Sequence, residues 1–327
     1  MRVSDRLAYV QGGTKMTSVQ RGAAVLPRAF TAGTILNWPA LLVALALGPA
    51  AYTLPPAACA ENSGATSDRT ARDEAVRAIP WRQIEPQHRR AAQFVINNTS
   101  IYRRLPTRII DCDPDLFTFL VQHPEVVIDI WRVMGLSQVA LDKLPTLTHG
   151  SGPAYRATDG AGTTGTVRFL YGDWGNNAQN VAVVFTDGAF EGKPFVTPLK
   201  AQSILLLRSS AVQETNGRHY ITVRIDSFVR IEQVGVELVA KTIQPWINKT
   251  ADYNFIETLT FVSNFSRAAE QNPHGIKRLA TRLPSIDQPT RNELVALSFR
   301  TAQRYARRDV NRTGAVLLAH RTDDSTR

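Results

Sequence analysis

Gly160-Ala-Gly162-Thr-Thr-Gly165 matches the glycine spacing of a dinucleotide-binding loop. That chemistry needs a strand feeding a helix whose N-terminal N–H groups face a pyrophosphate. Thr166-Val-Arg-Phe-Leu-Tyr171 follows instead, with the alternation of a β-strand, so the glycines read as a connection between strands. Asp111, Asp113 and Asp115 offer three hard oxygen ligands for a divalent cation. No glycine-turned calcium loop surrounds them. Asp113-Pro114-Asp115 is instead the pattern of a helix start, with Asp as N-cap, Pro in the first turn and a second acid at the positive end of the dipole. Cys112, flanked by two acids, is kept from the thiolate form and reads as packing. The six histidines, at 88, 123, 149, 219, 274 and 320, show no paired ligand spacing. HExxH, a G-x-S-x-G elbow, a P-loop lysine and CxxC are all absent from the chain. The sequence therefore assigns no catalytic residue, no metal and no cofactor.

What remains is apolar. Trp131, Phe169, Tyr171, Ile225 and Trp246 are the residues expected to line a ligand cavity, and each would serve equally as ordinary core. Asp226 and Arg224 share the other face of the same strand as Ile225, either facing solvent or paired across strands.

The elements that would position these residues follow from periodicity. Glu85–Asn97 reads as a short leading helix and 102–110 as a first strand. A helix starts at Asp113, breaks at His123-Pro124-Glu125, and resumes over Val126–Met134 up to Gly135. From Leu147 the period switches to two. Strands are expected at 147–150, 154–158, 166–172, 181–190, 203–209 and 219–231, with Asn216-Gly217 as a two-residue hairpin turn. In the last strand Ile221, Val223, Ile225, Val229 and Ile231 face one way and Arg224, Asp226 and Arg230 the other, predicting one buried and one wet face. The segment 235–271 then carries Val239, Ile243, Trp246, Ile247, Tyr253, Ile256, Leu259, Val262 and Phe265, mostly three or four apart. This is the stripe of a long helix that must be buried against the sheet, kinked or broken near Pro245. Asn292–Arg307 reads as a separate basic helix and 309–327 as a loose tail.

The predicted fold is α+β, a curved antiparallel sheet gripping a long C-terminal helix over 101–271. This element order resembles the START-like helix-grip superfamily, whose members mostly bind lipids or other apolar molecules between helix and sheet. The resemblance carries no functional residue with it. The chain as a whole also resembles uncharacterised exported planctomycete proteins, which implies no activity.

Charge is distributed unevenly. Of a net +10, residues 1–60 carry five basic side chains against one acidic, and 277–327 carry eleven against five; the body between them is neutral. With no clustered base-reading surface, nucleic acid is not an expected partner, whereas the basic C-terminal region suits contact with a membrane surface. Phe30–Ala60 has no charged residue and follows Arg21 and Arg28. Its dense apolar core from Pro39 to Gly48 is shorter than a bilayer span, and Ala58-Cys59-Ala60 has the small-x-small pattern of a signal-peptidase site. Residues 1–60 are therefore expected to be a signal peptide of an exported protein, the rival being an uncleaved membrane anchor over 30–60. Residues 61–80 read as a flexible linker, 81–100 as a leading helix, and 272–327 as a basic helical extension with a disordered tail.

Three functional classes stay open: a non-catalytic carrier of a lipid or other apolar small molecule, an enzyme acting on such a molecule, and a structural or interaction protein with a filled core. The carrier is the expected one.

Overall fold

The computed structural model describes residues 64–145, 152–175, 179–192, 197–232 and 236–323, with side chains omitted at 236–247 and 308–323. Residues 1–63, the strand expected at 147–150, and the Trp246 side chain lie outside that description. Helices α1 (Arg69–Ala78) and α2 (Pro86–Asn97) precede strands β1 (Ile101–Arg104) and β2 (Arg108–Asp111). Helices α3 (Pro114–Gln122) and α4 (Pro124–Val133) follow, then β3 (Ala140–Lys143), β4 (Ala154–Thr158), β5 (Thr163–Trp174), β6 (Gln179–Phe190), β7 (Leu199–Gln213) and β8 (His219–Ile231). The chain closes with α5 (Val236–Gln271), α6 (Pro273–Ala280) and α7 (Gln288–Asp323).

The protein is α+β, as the pattern of periods predicts. β3 to β8 form an antiparallel meander, and β1 and β2 pair in succession along the free edge of β8, completing an eight-stranded sheet. The expected single strand over 102–110 is split because Pro106 cannot donate to a ladder. The β7–β8 turn is longer than the two residues expected. Glu214 N donates to Arg218 O, Gly217 N donates to Glu214 O, and Gly217 takes φ 76°. This is a type I turn followed by a left-handed residue, a geometry glycine adopts without strain.

The start of α3 follows the capping rule: the Asp113 carboxylate accepts from Asp115 N at 3.0 Å and Leu116 N at 3.2 Å, with Pro114 in the first turn. Helix α5 runs as one element through Pro245, without the break considered above. Its buried stripe is Ala251, Phe255, Leu259, Val262, Phe265 and Ala269, while Tyr253 is 42 % exposed. The stripe is rotated from the expected one because its alanines, which also fit close helix packing, carry the face as much as the large side chains do. Helix α7 extends to Asp323, beyond the expected end near Arg307.

The largest departure is on the second face of the sheet. Ile221, Val223, Ile225, Leu205 and Leu207 belong to the core beneath α3, α4 and α5. Ile204, Leu206, Val183 and Phe228, alternating with them, form a second core with Ala75, Ile79, Ala92, Val95 and Ile96 of the N-terminal segment. Residues 61–80 are therefore not a simple linker: Thr66 bridges to Arg104, and α1 folds onto the sheet beside α2. No face of β8 is wet along its middle. A short helix such as α1 is marginal alone and forms through the tertiary surface it covers, which local composition does not reveal.

Candidate ligand groove

The expected cavity lining divides in the structure. Trp131, Phe169 and Ile225 do meet in one core cluster, and all three are buried. The Trp131 ring packs edge-on against Phe261 with centroids 5.5 Å apart. Tyr171 is on the opposite face, packed against the second core. A β-bulge is the reason: Phe169 pairs with Val184 but Tyr171 pairs with Val183, so one extra residue reverses the alternation. The interior space lined by Phe117, Leu120, Val121, Val127, Leu259 and Val262 holds about 10 Å³, room for one water at most and not for a ligand.

The roomier site lies at the end of the sheet. A groove of about 500 Å³ opens between α3, α7 and the adjoining ends of β5, β6 and β7. Its apolar surface comes from Phe119, Trp174, Ala211 and Leu297, and its polar surface from Asp115, Thr118, Gln122, Asn180, Glu293 and Arg300. Glu293, Leu297 and Arg300 stand at i, i+4 and i+7, which aligns them along one side of α7. Asn180 Nδ2 donates to Thr118 Oγ1 at 3.1 Å, joining β6 to α3 across the groove. Arg304 clamps the two helices: Nη1 donates to Asp113 Oδ2 at 2.8 Å, and Nη2 donates to Asp115. Trp174 owes its position to a missing side chain. A Cβ on Gly172 would stand 2.8 Å from the Trp174 ring nitrogen, so the indole lies over bare backbone.

The motifs weighed in the sequence take structural places. Gly160 and Gly162 lie in the β4–β5 turn, where Asp159 Oδ1 accepts from Ala161 N at 2.7 Å and Thr163 N at 2.8 Å. Asp111 accepts from Arg218 at 2.6 Å and pairs with Arg267 at 3.3 Å, so its carboxylate, like those of Asp113 and Asp115, is engaged by guanidinium. Cys112 is buried, and burial followed by the nearby Asp113 and Asp111 charges pushes its thiol far up, the Ser266 hydroxyl opposing them.

Asp226, expected either to face solvent or to pair across strands, takes the second course, on the face expected to be wet. It is wholly buried and accepts from Tyr102 Oη and Arg104 Nε at 2.7 Å each and from Arg208 Nη2 at 2.9 Å. Glu74 of α1 pairs with the same arginines, at 2.7 Å to Arg104 and 3.1 Å to Arg208. Burial pushes the Glu74 carboxyl up, but hydrogen bonds from Arg104 and Arg208 outweigh it and hold the group below its ordinary value. The cluster fastens α1 to the sheet. The signal in the sequence was the one acid of β8, with basic residues on the strands beside it.

No family model matches the chain, and no curated protein matches it. Among solved structures it is similar to Ara h 8.0201, at 14% identity and a TM-score of 0.27, over 47% of this chain and 98% of that one. A likeness at that level bears on neither ligand nor activity.

Proposed function

We propose that this is a non-catalytic binding protein for an amphipathic small molecule seated in the α3–α7 groove. The observation that carries this reading is the groove itself: about 500 Å³, within the range of small-molecule sites, with both apolar and charged side chains in its lining. Phe119, Trp174 and Leu297 would take the apolar part of the ligand, and Gln122, Glu293 and Arg300 would orient its polar end. The polar side chains offer hydrogen bonds and charge rather than a nucleophile held by a base, which favours binding over catalysis. The alternative is a lipid held between sheet and α5; the free space at Leu259 and Val262 is about 10 Å³.

Fluorescence titration with 1-anilinonaphthalene-8-sulfonate, an amphipathic anion, tests this. Saturable binding weakened at least tenfold by Trp174→Ala or Arg300→Glu, and unchanged in Trp246→Ala, supports the groove. Loss in Trp246→Ala alone supports the interior site. Binding untouched by all three variants, with no ligand carried by protein from its own host in native mass spectrometry, supports the filled structural protein.

We also propose that the protein works outside the cytoplasm after cleavage at Ala60. N-terminal sequencing of the native protein tests it: a chain starting at Glu61 supports export, and one retaining 30–60 supports an anchor.

A further inference from the structure

Three basic side chains crowd a short stretch of surface at α6. Ile276, Ala280 and Leu283 point inward at helical spacing and are buried. Lys277, Arg278 and Arg282 lie between them in sequence and are exposed. Thr281 N donates to Lys277 O at 3.3 Å and Arg282 N to Leu279 O at 2.9 Å, so the turn continues past α6 and keeps the three on the outward side. None of the three forms an ion pair with a described residue. Lys277 and Arg278 also complement the negative end of the α6 dipole, but Arg282 stands beyond it.

A second stretch of surface, with two exposed aliphatic side chains, is tied to this one. Arg132 Nη1 donates to Ser285 Oγ at 3.3 Å, and Ser285 N donates to Asp129 Oδ2 at 2.6 Å. These bonds tie the last turn of α4 to the segment just after Arg282. That turn presents Val133 and Met134, 39 % and 47 % exposed, to solvent.

We propose that this surface docks on an anionic lipid bilayer, with Lys277, Arg278 and Arg282 over the headgroups and Val133 and Met134 dipping into the interface. Unpaired cations beside exposed aliphatic side chains match that boundary, where each Lys or Arg strengthens attachment about fivefold. A nucleic acid would use the charges and leave Val133 and Met134 unused.

Vesicle co-sedimentation of the full chain, on phosphatidylcholine alone and on 7:3 phosphatidylcholine–phosphatidylglycerol, reads this out. Any insertion by residues 30–60 appears on the neutral vesicles as well, and the part of the anionic increment that depends on Lys277, Arg278 and Arg282 belongs to this surface. The expected result is stronger binding to the anionic vesicles, reversed by salt and reduced about a hundredfold by combined Lys277→Glu, Arg278→Glu and Arg282→Glu. Combined Val133→Ser and Met134→Ser should lower it several-fold at a salt concentration where charge is screened. An unchanged melting temperature would show that the variants fold. No preference for anionic vesicles, or an increment that the triple variant retains, overturns the proposal. So does charge-dependent binding to duplex DNA without binding to vesicles.

Discussion

The Tyr102 hydroxyl donates a 2.7 Å hydrogen bond to the carboxylate of Asp226, a residue with no exposed surface in the middle of the sheet. The two reach each other because β1 pairs with β8 in the register Arg104↔Asp226 and Tyr102↔Phe228. The same carboxylate holds Arg104 and Arg208, and through them Glu74 and helix α1. Its removal would strip Arg104 and Arg208 of their buried partner and leave them the half-exposed Glu74 carboxylate.

Asp226→Ala is expected to destabilise the fold by about 3–5 kcal/mol, and Tyr102→Phe by about 0.5–1.5 kcal/mol because Asp226 keeps two donors. Urea denaturation of the three proteins checks the ranking. Limited proteolysis should also show early cutting within α1 in Asp226→Ala, since the cluster fastens that helix.

Asp287 caps α7, accepting from Thr290 N at 2.8 Å. Hydrogen bonds from the Thr290 side chain and then its N–H hold the carboxyl below its ordinary value, with a smaller contribution from Lys143. A depressed folded value means the stabilisation is present above the unfolded pKa, about 4, and is lost as pH falls through the folded one. Asp287→Ala should cost about 1 kcal/mol at pH 7. Asp287→Asn keeps the cap without the charge, so its deficit against the parent should shrink from pH 6 toward pH 3. Thermal melts at half-unit pH steps measure it, and a constant deficit would refute the assignment.

Trp131 sits in a filled core against Phe261. Trp131→Ala should cost about 3–5 kcal/mol, whereas Leu294→Ala, in the same core at α7, should cost about 2–5 kcal/mol. If Trp131 instead lined an open cavity, its truncation would be tolerated, and equilibrium unfolding distinguishes the two.

Cys112 should be inert in the folded protein, being buried with its thiol pushed up by that burial. The native reaction with Ellman's reagent at pH 8 should be identical in the parent and in Cys112→Ala. One additional thiol should appear in the parent on unfolding in guanidinium.

Gly172→Ala tests the seat of Trp174. The new methyl group meets the indole and must displace it, which a side chain at a half-open edge does cheaply. Melting temperature should move by no more than a few degrees, while dye affinity at the groove falls several-fold. Retained affinity would separate Trp174 from the binding surface.

The α+β class, the cap at Asp113, the helix break at His123-Pro124 and the strands β4 and β8 were legible because each rests on local rules. Side-chain period, capping oxygens and proline geometry act over a few residues, and they survive folding unchanged. The short β3 escaped notice because four residues carry too little period to distinguish from a loop.

What a residue faces is decided elsewhere. Tyr171 changed sides through a bulge whose extra residue is defined only against β6, and Asp226 became a core residue because a segment more than a hundred positions away folded over it. The groove has the same origin, since Asp115, Trp174 and Arg300 are neighbours only after α7 returns to α3. The sequence by itself determined the elements and their order, through short-range sterics and hydrophobic period. Tertiary structure alone decided which faces are buried, which charges are paired and where space is left over, because burial depends on what the rest of the chain brings to each surface.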